Sequence, residues 1–160
     1  MGDMQSDGNV KVSYVPAIAN QAAPTVAELA AGTSLECLIT GDGLDITTDE
    51  NVVSVPKLCE TTISEAPGRS KTNIALTYVR KDVVLEDVAY TTLIPNLVGF
   101  LVVRRGIPVT TGWAAAQKAE VYPVKFGVQA EQKPEMDGVE KVISKAYPSG
   151  SPTKKATVAA

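Results

Sequence analysis

The chain has 160 residues, enough for one domain of ordinary size, and its 44% hydrophobic and 21% charged residues describe a globule, not a disordered segment. A net charge of −3 and an isoelectric point near 5.0 argue against stable clamping of nucleic acid, which needs a basic face. No apolar stretch approaches the roughly 20 residues that span a bilayer, and MGDMQSDGN lacks the pattern of a signal peptide, so the chain is expected to be made in the cytoplasm.

Twenty-one valines and fifteen threonines favour a pleated surface over helices, so a mainly β protein is expected. The first strand falls at residues 9–15 (NVKVSYV). A short helix follows in APTVAELAAG: Thr25 and Glu28 form a reciprocal capping box, and Gly32 is expected as a left-handed stop. Further strands are expected at 34–40, 51–55, 57–64, 72–80, 98–105, 119–130 and 139–147. In TNIALTYVR, Ile74, Leu76 and Tyr78 share one face, which is the expected core face. A second short helix, 86–93 in LEDVAYTTLIPN, places Glu86 and Asp87 in its first turn and ends before Pro95. Strand 98–105 (VGFLVVRR) is apolar on both faces, so a helix such as 86–93 or a neighbouring subunit must cover the second one. The regular spacing of these strands points to a β-sandwich or barrel with one or two short flanking α-helices.

TTISEAPGRSKT is long and polar, with a Pro-Gly turn expected at Pro67 and Gly68. It reads either as a solvated loop or as an arm, about residues 57–72, lying on a neighbouring subunit. Residues 1–150 are then a single β domain, and YPSGSPTKKATVAA ends in a flexible tail at 151–160.

The chain has no histidine, which removes Ser-His-Asp and Cys-His nucleophiles and the commonest metal ligand. GRSK at 68–71 lacks the spacing of a phosphate loop. Asp42, Asp45, Asp49 and Glu50 lack the order of an EF-hand loop, and Asp42-Gly43 is explained by a turn. Cys37 and Cys59 have no partner at zinc spacing and are expected as buried free thiols. Trp113 is expected in the core. No enzyme activity, metal or cofactor is expected, and the inventory suits a building block.

The order of PTVAEL, DGLDIT, VSVPKLCETTISEAPGRSKTNIALTYVR, LIP, GFLVVRRG and AEVYPVKFGVQA resembles the major tail protein, or tail tube protein, of long non-contractile tailed bacteriophages, over about residues 9–147. The resemblance implies a structural virion protein with hexameric rings stacked into a hollow tail tube. That tube would enclose the tape measure protein, meet tail terminator and tail-tip proteins, and pass DNA without specific binding. Ile63, Ser64, Glu65, Pro67, Gly68 and Arg69 of the arm would then lie at a subunit interface. Arg104 and Arg105 would end their strand at a rim, pairing with the acids between Asp42 and Glu50 of the next ring or simply meeting solvent. Two other readings stay open: a ring protein of a contractile injection or type VI secretion system, and a monomeric β-barrel binding module.

Overall fold

The computed structural model describes residues 2–160. Eight strands and two short helices follow one another as β1 (Val10–Val15), α1 (Val26–Ala30), β2 (Thr33–Ser34), β3 (Ile39–Val53), β4 (Ala66–Val79), α2 (Val88–Thr92), β5 (Val98–Arg105), β6 (Lys118–Glu131), β7 (Lys141–Pro148) and β8 (Thr153–Thr157). All pair antiparallel in one sheet of order β2-β1-β5-β6-β7-β4-β3, with β8 beside β6. The fold is mainly β, as expected, and the sheet curls on itself in a sandwich-like manner. One hydrophobic cluster joins Val12 and Tyr14 of β1 to Leu76 and Tyr78 of β4, strands that lie far apart in the sheet order.

β4 shows why alternation is a strong signal. Ile74, Leu76 and Tyr78 are buried, while Asn73, Ala75, Thr77 and Val79 point the other way. At about 1.5–3 kcal/mol per large apolar side chain, that face alone fixes the strand's register.

β5 is buried on both faces, and the two covers differ. Leu101 and Val103 pack in the main cluster with Ala89 and Leu93 from the region of α2. Val102 faces a second cluster made by Val15, Ile18, Leu29 of α1, Val121, and Ala156 and Val158 from the C-terminal end. The expectation that the 86–93 helix covers β5 holds for one face; α1 and the C-terminal segment cover the other.

That cover corrects the flexible tail expected at 151–160. β7 and β8 run in line along one edge of β6, interrupted opposite Pro123, which has no amide N–H to donate. Beyond β8, Ala159 accepts from the amide of Val26 at 3.1 Å and donates to Pro24 at 2.8 Å. Only two apolar side chains, Ala156 and Val158, secure this segment, so its sequence carries little signal.

α1 has the expected box: the Glu28 amide donates to Thr25 Oγ1 at 3.2 Å, and Glu28 Oε1 accepts from the Thr25 amide at 3.0 Å. Gly32, however, is not left-handed, and the helix closes at Ala31 in the right-handed region. Glycine is needed there for space, because a Cβ would lie 2.6 Å from the Tyr14 carbonyl oxygen. Cys37 and Cys59 are also corrected: both are free but exposed. Each sits in a turn instead of the strands expected at 34–40 and 57–64, so alternation no longer turns it inward.

Candidate assembly surfaces

β3 and β4 form one long hairpin of 15 and 14 residues. Its lower half belongs to the sheet, since β7 pairs with β4 from Val79 up to Ile74. Above that point the ribbon has no strand beside it among the described residues. Thr47 to Val53 are all exposed, and at about 3.4 Å per residue this half reaches about 20 Å past the core. A two-stranded ribbon is marginal in water by itself, so a support outside the chain is the natural complement of this geometry.

The arm therefore starts well before the expected residue 57. DGLDITTDEN is strand, not turn, and its acids Asp45, Asp49 and Glu50 are strung along β3 instead of gathered around an ion. Asn73 Nδ2 donates to Asp49 Oδ2 at 2.7 Å across the ribbon. Pro67 and Gly68 lie in β4, not at the tip: Pro67 pairs with Val52 next to a register shift, where a missing N–H is tolerated. Gly68 is half-buried, and a Cβ there would lie 3.0 Å from the Asn51 carbonyl oxygen. The chain reverses through residues 54–65, which hold Ile63, Ser64 and Glu65, all exposed; Arg69 is exposed on β4. These six candidates thus share one arm. Sequence reasoning missed its apolar residues: Val52, Val53, Val55 and Leu58 are exposed along with Ile63. Consecutive β-branched residues between polar ones had been a readable signal.

Arg104 and Arg105 part company. Alternation along β5 puts Arg104 on the face of Val102, beneath the loop 106–117, and it is fully buried instead of ending at a rim. Its Nη1 donates to Gly112 O at 3.0 Å and Gln117 Oε1 at 3.1 Å; Nη2 donates to Pro108 O at 3.0 Å and Thr111 O at 2.7 Å. The guanidinium lies 5.0 Å from the centre of the Trp113 ring. Burial lowers its pKa, and the charge of Glu36 acts in the opposite direction. Arg104 is an internal clamp that shapes a loop. Trp113, expected in the core, is only partly buried at its margin.

Arg105 points outward, and its Nε donates to Glu120 Oε2 at 2.6 Å within the same chain. Glu120 Oε1 also accepts from the Tyr122 hydroxyl at 2.7 Å; burial raises the pKa of that phenol, and this hydrogen bond adds to the rise. Arg105 is 45% exposed, and such a pair contributes about 0–1 kcal/mol. Within the chain its partner is thus Glu120.

Among the described residues, no three His, Cys, Asp or Glu side chains stand together as metal ligands, and no helix is long and apolar enough to cross a membrane. The chain thus offers an exposed, partly apolar ribbon and a preshaped loop. A family model described as phage tail tube protein matches residues 1–160, the whole length. No curated protein matches the chain.

Proposed function

Because the chain belongs to the phage tail tube protein family, we propose that it forms hexameric rings that stack into the hollow tube of a phage tail. It acts there as a structural protein of the virion and not as an enzyme. The tube encloses the tape measure protein during assembly and is closed by terminator and tip proteins. It later conducts DNA, and the net charge of −3 supports passage without adhesion to phosphate.

The observation that carries this reading beyond the family is the arm. A ribbon with both edges open and apolar side chains along it is an aggregation risk in a lone molecule, but a ready interface when copies repeat in stacked rings. Ile63, Ser64, Glu65, Pro67, Gly68 and Arg69 contribute to that contact as parts of one arm, together with Val52, Val53, Val55 and Leu58. Arg105 lies near a rim with its charge held by Glu120.

The test is to replace residues 54–65 by an Asn-Gly turn. Loop closure depends weakly on length, so the melting temperature should stay within about 3 °C of the native chain. Negative-stain microscopy should show tubes from the native protein and none from the shortened one. Tubes of normal length from the shortened chain would reduce the arm to a solvated loop.

A further inference from the structure

The loop from Arg80 to Asp87 reads RKDVVLED. Asp87 is 4% exposed; its Oδ2 accepts from Arg80 Nε at 2.8 Å and its Oδ1 from the Lys81 amide at 3.2 Å. The Arg80 guanidinium lies over the Tyr90 ring at 3.6 Å, and the Arg80 amide donates to Glu140 O at 2.9 Å. Within the loop, the amides of Glu86 and Asp87 both donate to Val83 O. The loop is closed and tied at both ends, yet Val83, Val84 and Leu85 are 51%, 75% and 88% exposed. Three consecutive apolar residues held in water by a fastened loop add nothing to the chain's own core. Met136 and Val139 are exposed on the adjoining segment before β7.

β4 runs unbroken from Ala66 at the arm to Val79 at this loop, about 40 Å at strand rise. The two apolar surfaces therefore sit at opposite ends of one strand. Layers that stack in one direction bring two different surfaces of the same molecule together, and the contact repeats without closing.

We infer that the arm tip of one copy, through Val55, Leu58 and Ile63, seats on Val83, Val84 and Leu85 of a second copy in the next layer, with Met136 and Val139 at the margin. This rests on the tube reading above and names the surface that the arm meets. The tie of Asp87 to Arg80 holds that surface in shape before contact, which limits the ordering cost of binding.

Cys59, exposed near the arm tip, is a built-in probe. Tubes of the Cys37→Ser/Leu85→Cys chain, treated with a short bismaleimide, should give a ladder of dimers, trimers and longer species on a denaturing gel. A ladder is expected because every copy carries both ends. Asp82→Cys in place of Leu85→Cys keeps the apolar triplet and should give the same ladder. Cys37→Ser/Val98→Cys, placed on an exposed valine elsewhere, should give almost none. Tubes without a ladder from both loop variants, or with an equal ladder from the Val98 variant, overturn the inference. Val83→Ser/Val84→Ser/Leu85→Ser should fold with an unchanged melt and lower the sedimenting fraction about tenfold; unchanged assembly would overturn the inference too. If the native chain forms no tubes at all, the tube reading itself falls, and this contact with it.

Discussion

Two valine pairs in this molecule have opposite fates. Val102 and Val103 of β5 are buried on both faces of the sheet, whereas Val52 and Val53 of β3 stand in water near the end of the arm. Both pairs are consecutive β-branched residues in antiparallel strands, so intrinsic strand preference does not separate them. The difference is cover: α1 and the C-terminal segment lie over Val102 and the α2 region lies near Val103, whereas among the described residues no helix or further strand packs on Val52 and Val53, and Lys154 reaches the arm only at Thr48. In the proposed tube, apolar strand sequence without cover from its own chain marks the place where cover comes from another copy.

The sharpest way to break this comparison is to put the same charge at both sites. Val102→Asp buries an unpaired carboxylate and should cost several kcal/mol, leaving the chain unfolded or insoluble. Val52→Asp should change unfolding free energy by less than about 0.5 kcal/mol and act on tube formation alone. Thermal melts of both proteins decide it, and a comparable loss of stability from Val52→Asp would refute the contrast. Next in size is Arg104→Ala, which takes a charged donor from the carbonyls of Pro108, Thr111 and Gly112; Pro108 O keeps the Thr111 amide and Gly112 O keeps Gln117 Nε2, while Thr111 O loses its donor. A loss of about 3 kcal/mol is expected, with faster proteolysis in residues 106–117. A native cleavage pattern would mean the loop is shaped by something else.

The smallest effect sharpens the view of α1 as cover. Thr25→Ala removes the helix cap and should cost about 1 kcal/mol in chemical denaturation. Acid gives the same site a signature. The pKa of Glu28 is lowered by hydrogen bonds from the amides of Thr25 and Ala19 and from the Thr25 hydroxyl. Its folded pKa lies below its unfolded one, so its contribution is present above the ordinary carboxylate range and is lost as pH falls through the lowered value. The acid limb of the native stability profile should therefore flatten in Glu28→Gln, and an unchanged limb would exclude this carboxylate from the acid response.

Where a pattern is enforced by burial within the chain, the sequence was readable. The face of Ile74, Leu76 and Tyr78, the Thr25–Glu28 box and the bounds of β5 all emerge from spacing alone. The arm strands did not, because side chains exposed on both faces leave no alternation to detect, and Pro-Gly reads as a turn wherever it stands. The C-terminal strand was hidden for a different reason: two small buried residues among lysines carry little pattern, and their order comes from distant partners near Pro24. Arg104 illustrates a third limit, since alternation predicts which way a side chain points but not that a loop of carbonyl groups waits there. The apolar triplet Val83–Leu85 stood in plain view between acids, but the neighbouring helix signal absorbed it.

β4 has a mechanical consequence. With the arm at one end and the loop of residues 83–85 at the other, the proposed contact would direct tension between successive layers along the strand axis. The ladder to β7, and the lower part of that to β3, lie across that axis, so their bonds are loaded together in shear and are not peeled one by one. A tube joined in this way would stretch little under load. Its weakest points would be the contacts between copies, so a broken tube would leave intact subunits.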